Sequence, residues 1–332
     1  MSDSETELAS GLGPGDARDS DCDLSPGGLA SLASVLEVSA PKPGNVHRGA
    51  DFEDVTFDDF LVSAIGLGQV IDSESGQSFG STVLAAVEKT IANVGSNTNL
   101  GIVLLLVPLA KVVAANRPAL LTQNQVREYL NSVDPVEGGK VFEAIKRAKP
   151  GGLGAAKEMD VHSSDASEVE LMVAMELAKD RDAIALQYVT GYQRIFEVGM
   201  PLLLSGLKVF RNLPKAIVFT HVALMARDAD SLIARKCGSE IADQSRFLAA
   251  KAFTILFPEI EKEHNSAKLQ QLNPGPISDS NKEQYWAAVG ELDFWLRSDG
   301  HRRNPGTTAD LIAAILFVAI YNGDIKPPFT NP

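Results

Sequence analysis

Cysteine is nearly absent: Cys22 and Cys237 are the only two in 332 residues. That excludes a disulfide framework and a cysteine-built metal site. Aromatic residues amount to 6%. The central apolar run, Leu100 to Ala110, is broken only by Gly101 and Pro108 and closed by Lys111. It is far shorter than the ~20 residues that span a bilayer, so no membrane partner is expected. Thirty Lys and Arg face 43 Asp and Glu, giving a net charge of −13. With no local basic patch, a nucleic-acid partner is excluded as well. No G-x-x-x-x-G-K-[ST] and no strand-linked G-x-G-x-x-G occurs, so a standard nucleotide-binding fold is not supported. With neither secretory leader nor span in evidence, the sequence reads as cytoplasmic.

What is present is helix after helix. Hydrophobic content is 45% against 22% charged, and no convincing period-two strand appears. Residues 1–28 are rich in Ser, Gly and Asp without apolar periodicity, which predicts a disordered acidic tail. Folding is expected to begin near Leu29, with Leu32, Val35, Leu36 and Ser39 on one helical face and Glu37 beside it. Pro41-Lys42-Pro43-Gly44-Asn45 makes a rigid turn. Thr56 with Asp59 and Thr122 with Gln125 predict capped helices; the first would bury Phe57, Phe60, Leu61, Ala64 and Ile65. Further helices are expected from Pro135 to Ala148, from Ser164 to Ala178, from Arg181 to Gly199 and from Pro214 onward. Two more run up to Phe257 and from Asn281 to Leu296, and a last apolar one spans Leu311 to Tyr321, capped by Thr307 or Thr308 with Asp310 in its first turn. The prediction is an all-α protein: a single large multi-helix bundle over residues 29–325, organised around one buried central helix in the stretch Asn93–Ala115.

Several local patterns invite chemistry, and each has a plainer reading. Gly76-Gln77-Ser78-Phe79-Gly80 matches the nucleophile elbow of α/β hydrolases, but that elbow needs a preceding strand and a parallel sheet, so the match is accidental. Asp228-x-Asp230 followed by Arg235 could share a Mg²⁺ with phosphate oxygens; the alternative is an ordinary ion pair at a helix end. His47, Asp51 and Glu53 lack zinc spacing. Three loops, 41–45, 95–101 and 304–310, combine Gly or Pro with small hydroxyl or amide side chains ahead of an apolar helix. Lys42 accompanies the first and Arg302-Arg303 the last. Converging at one end of a bundle, they would build an anion site; separately, they would merely cap helices.

The same loops, in this order, resemble the triphosphoribosyl-dephospho-CoA synthase family. The matching stretches are Glu37 to Gly44, Asn97-Thr98-Asn99-Leu100-Gly101, Asp230-Ser231-Leu232-Ile233-Ala234-Arg235, and Asn304 to Ala313. The resemblance implies an all-helical transferase of cofactor biosynthesis, a pentosyltransferase that joins ATP to 3′-dephospho-CoA and releases adenine. It implies that Lys42, Asn45, Asn97, Thr98, Asn99, Arg235, Thr307 and Thr308 serve phosphate and that Asp230 and Asp310 hold Mg²⁺. Glu37 would act as base, with Asp230 beside it as the second catalytic carboxylate. Partners would be small molecules, a nucleotide and a cofactor precursor, and a homodimer is left open. The sequence departs from the family pattern at Asn99 and Leu100, where the family usually has His-Lys, and at Gly49 to Asp54. Similar proteins are associated with tetrahydromethanopterin-linked one-carbon metabolism, so the alternative acceptor is a pterin or another cofactor precursor, with a non-catalytic nucleotide-binding factor as the further alternative.

Overall fold

The computed structural model describes residues 23–74, 76–134, 136–149, 170–258 and 276–329. Fourteen α-helices appear among the described residues: α1 Pro26–Ser39, α2 Phe57–Ser73, α3 Phe79–Val94, α4 Leu100–Asn116, α5 Gln123–Ser132, α6 Glu137–Ala148, α7 Leu171–Ala178, α8 Ala183–Thr190, α9 Met200–Phe210, α10 Leu213–Arg227, α11 Ser231–Cys237, α12 Ser239–Leu256, α13 Asp279–Arg297 and α14 Gly306–Tyr321. A short π-helix, Arg194–Gly199, runs directly into α9. Among the described residues, strand pairing is confined to Ser298–His301 and one bridge between His47 and Ala50. No described helix is long and apolar enough to cross a membrane.

The expected central helix is there, and it has company. α4 is buried almost without interruption from Leu100 to Val113, α10 from Ala216 to Met225, and α14 from Leu311 to Tyr321. A helix apolar on every side can only sit inside, and these three form the core on which the others pack. α14 packs against α4, α1 and α10. Its C-terminal end is tied to the chain after α4: Tyr321 donates its hydroxyl proton to the Pro118 carbonyl, and the Asn322 amide pairs with both the N–H and the carbonyl of Leu121 at 2.8 and 3.1 Å.

Pro108 lies inside α4. It has no N–H, so the Leu104 carbonyl four residues earlier loses its helical donor. One buried tyrosine supplies the replacement and a second donates beside it. Tyr188 Oη donates to Leu104 O at 2.7 Å, and Tyr192 Oη donates to Leu105 O at 2.9 Å. This explains why the helix expected to run unbroken from Arg181 to Gly199 is interrupted. Gly191 and Tyr192 both take left-handed backbone angles, φ +61° and +64°, which turns Tyr192 inward.

The edges of the fold were less legible. α1 starts at Pro26, three residues before Leu29, capped by Ser25 and by Asp72, which accepts from Ser25 Oγ and Gly27 N; residues 1–22 of the expected tail, and Ser164, lie outside the described residues. Both capping boxes are present. The buried face of α2 is not the expected aromatic stripe: Ser63, Ala64, Leu67, Gly68 and Ile71 face inward, while Ile65 is 53% exposed. Small residues decide this face because α1 lies against it backbone to backbone. A Cβ on Gly68 would stand 2.5 Å from Gly27 O. α1 is likewise turned, so that Glu37 sits on its buried face with Ala30, Ala33 and Ser34. Thr307 and Thr308 fall inside the first turn of α14 rather than at its cap, because the helix begins at Gly306.

Removing the hydroxyl in Tyr188→Phe leaves Leu104 O buried without its best donor. Unfolding by urea should show a loss of about 1–3 kcal/mol. The loss should shrink in a Pro108→Ala background, where residue 108 regains the N–H; an equal loss in both backgrounds would contradict the account.

Candidate active site

The N-terminal ends of α4 and α14 lie side by side, and the space above them is a cavity of about 420 Å³. Glu37, Asn45, Asn97, Thr98, Asn99, Arg235, Thr307 and Asp310 all line it. Four separate sequence segments are therefore brought to one place. Lys42, Asp230 and Thr308 stand behind the wall instead, and each has a duty there.

Lys42 is wholly buried, and its Nζ donates to Glu37 Oε1 at 2.8 Å and to the Glu37 carbonyl at 2.5 Å. Its charge is directed at Glu37 rather than at a ligand, which departs from the phosphate role expected of it. Burial raises the Glu37 carboxyl above its ordinary range while Lys42 pulls it back. His221 on α10 is buried close by. Burial and the Lys42 charge push it well below the usual histidine range, so it is neutral. The turn that holds Lys42 is clamped from α13: Asp293 accepts from Gly44 N at 2.7 Å and pairs with Arg297, which donates to the Asn45 carbonyl. Gly44 has φ +75° and touches Leu296 and Pro305 so closely that no side chain fits.

Asp230 also departs from expectation. It caps α11, with Oδ1 accepting from Leu232 N at 2.8 Å and Ile233 N at 3.1 Å, while Oδ2 accepts from Thr308 N and Thr308 Oγ1, both at 2.8 Å. Four donors occupy a buried carboxylate, leaving no lone pair aimed at the cavity. Asp228 faces Arg194 and Arg227 at 3.2 and 3.4 Å, so Asp228 and Asp230 do not form a shared cation site. His47, Asp51 and Glu53 form none either: among the described residues no group of three or more His, Cys, Asp or Glu could hold a metal.

Asp310, unlike Asp230, does line the cavity. It lies beyond the first turn of α14, beside the backbone of Gly101, and a Cβ there would stand 2.0 Å from Asp310 Oδ2. Burial first, then the charges of Glu37, Asp230 and Asp182, hold its carboxyl well above the ordinary range. Asp182 was not foreseen from sequence. It caps α8 through Ile184 N and Ala185 N and orients Arg235, whose Nη1 donates to Asp182 Oδ2 at 2.8 Å. A lone Asp before an apolar octet gave no signal beyond a possible cap.

The central loop holds itself together with the atoms expected to bind phosphate. Asn97 Oδ1 accepts from Leu100 N at 3.0 Å, Thr98 and Ser63 share a hydroxyl contact at 2.6 Å, and Asn99 Oδ1 accepts from Thr90 Oγ1 at 3.0 Å. Asn45 donates to Asn304 Oδ1, while its own buried Oδ1 has no partner. Arg302 and Arg303 point elsewhere: Arg303 covers the Trp295 ring at 4.4 Å and Arg302 is exposed against Asp299. Ser78 is the N-cap residue of α3, its hydroxyl against Ser81, and no sheet lies beside it among the described residues.

Over residues 24–327 the sequence matches the profile of the ATP:dephospho-CoA triphosphoribosyl transferase family. The chain belongs to that family. It is also similar to a crystal structure from Archaeoglobus fulgidus named as a triphosphoribosyl-dephospho-CoA synthase. Identity is 26%, with 81% of this chain and 99% of that chain covered, at a TM-score of 0.56. No curated protein matches the sequence. Family membership makes the chain a triphosphoribosyl transferase of cofactor biosynthesis, and ATP is the substrate from which the family is named.

Because Asp230 is a capping residue of two helices, Asp230→Asn should lower stability by about 1–3 kcal/mol, since an amide nitrogen would then face N–H donors. Thermal denaturation followed by circular dichroism measures this; an unchanged midpoint would contradict the capping role.

Proposed function

We propose that the cavity binds ATP and a hydroxyl-bearing cofactor precursor together, and that it transfers the triphosphoribosyl unit to that hydroxyl with release of adenine. The observation that carries the reading is the convergence of Glu37, Asn97–Gly101, Arg235 and Asn304–Asp310 on one cavity. The cavity has two chemically different walls. One is polar, from the end of α1, α11 and the start of α14. The other is apolar, from Phe142 and Ile145 of α6 and Met175, Leu177 and Ala178 of α7. The polar wall suits a triphosphate, and the apolar wall suits the ring or chain of the second substrate.

The amide nitrogens of Asn97 and Asn99 donate to no described group, so they remain as donors to phosphate oxygens, joined by backbone N–H groups at the start of α4 and α14. Arg235, fixed by Asp182, offers its remaining N–H groups. For Mg²⁺, Asp230 does not fit, because its lone pairs are occupied. Asp310 fits as a single hard carboxylate among acidic neighbours, and Mg²⁺ commonly takes one or two carboxylates plus substrate phosphates. When bound, the ion would neutralise triphosphate charge, and Asp310 would release its proton on binding it. Glu37 is the base: its carboxylate takes the hydroxyl proton as the oxygen bonds the anomeric carbon, while adenine leaves with the electron pair of the broken C–N bond. A carboxyl raised by burial is better matched to that task than a free one. The acceptor is 3′-dephospho-CoA or a related precursor, with a pterin as the alternative.

Incubation with ATP and 3′-dephospho-CoA, followed by mass spectrometry, should yield free adenine and a product heavier by the triphosphoribosyl unit. Neither product from any hydroxyl-bearing precursor tried, a pterin included, would refute the reading. Asp310→Asn should lower adenine release by about 10²–10³-fold. The same change should raise stability without ligand. The folded carboxyl has a higher pKa than the unfolded one, so wild-type stability falls as pH rises through the folded value, whereas the Asn variant is spared that loss. The variant's melting temperature should exceed that of wild type at pH 8, with the gap closing towards pH 4.

A further inference from the structure

Four basic side chains reach the cavity: Arg181, Arg235, Lys236 and His301. Arg235 is matched by Asp182 at 2.8 Å, and His301 Nδ1 faces Asp54 at 3.4 Å. Arg181 is exposed and keeps its water. Lys236 differs from all three. It sits on the last turn of α11, is partly buried, and its ammonium makes no hydrogen bond or ion pair among the described residues. The plain reading is a lysine that complements a helix C-terminus. Such a lysine ordinarily extends its stem and keeps its head in solvent, whereas this one has lost part of its water to the cavity wall. Burial pushes its pKa down, and the charges of Asp54 and Asp230 only partly oppose this. A desolvated ammonium without a partner is unfavourable in the empty protein and becomes favourable when an anion arrives.

We propose that Lys236 is a second phosphate-binding cation of this cavity, beside Arg235, and that the triphosphate therefore lies along α11 and the 301–306 loop. This rests on the reading of the cavity as an ATP site, and it adds the direction in which ATP lies. Asp54, whose charge acts on Lys236, faces His301, which packs against Phe52, and all of these line the cavity together with Asn304. The apolar wall of α6 and α7 is then left to the second substrate.

Inorganic tripolyphosphate binding, measured by titration calorimetry on the full chain, tests the assignment alongside steady-state adenine release. Lys236→Gln should weaken tripolyphosphate by about ten- to a hundredfold and raise the KM for ATP with little change in kcat. Lys236→Arg should recover most of the affinity. Arg246→Gln, an exposed charge on α12 outside the cavity, should change neither. The melting temperature of Lys236→Gln should not fall, because no protein partner is lost. If wild type binds tripolyphosphate and Lys236→Gln binds it equally well, the assignment is overturned while the transferase reading stands. If wild type binds no tripolyphosphate yet releases adenine, the assignment is likewise overturned. Absence of both binding and adenine release removes the transferase reading and this inference together.

Discussion

A proline inside the most buried helix is the constraint from which much of the architecture follows. α4 has no solvent on any side, so the carbonyl that Pro108 strips of its donor cannot turn to water. A buried, unpaired carbonyl is too unfavourable to leave, and the protein answers with Tyr188 and Tyr192, one reaching Leu104 and the other Leu105. Bringing both hydroxyls to one point on α4 fixes α8 and the π-helix against it. That in turn places Asp182, at the head of α8, where it can orient Arg235. The backbone irregularity at Gly191 and Tyr192 is thus the local cost of a hydrogen bond made elsewhere.

The cavity is assembled on a similar economy of charge. Three of its carboxylates, Glu37, Asp182 and Asp310, are near enough for the first two to act on the third by charge, and of these three Glu37 is paired with Lys42 and Asp182 with Arg235. Asp310 has Gly101 beside it and acidic neighbours around it. Such an arrangement is unfavourable until something positive enters, which is the usual tension between stability and activity at a binding site.

The parts of this protein that could be read from sequence are those governed by one-dimensional rules. Capping boxes at Thr56 and Thr122 depend on residues three apart, and the burial of α4 and α14 follows from uniform apolarity. Both are visible in a string. The α1–α2 contact was not, because it depends on what is missing at Gly27 and Gly68 rather than on the phenylalanines nearby. The site divides the same way. The segments that meet at the cavity were identifiable, but duties within them were not. Lys42, Asp230 and Thr308 resemble ligand groups in sequence, and only their distances show them bonded to Glu37 or to one another. Asp182 and Lys236 gave no sequence signal, since their roles come from neighbours some fifty residues away or from the lack of one.

The close approach of Asp310 to Gly101 has an evolutionary reading. Any side chain at position 101 would collide with the carboxylate at 310, and loss of that carboxylate would relieve the demand for glycine. The two positions are therefore expected to change together or not at all, and they tie the two core helices into one inherited unit. The α6–α7 wall carries no such bond to the floor. On the proposed reading its side chains are free to drift, so a lineage could exchange one acceptor for another while the floor proposed to hold phosphate stays as it is.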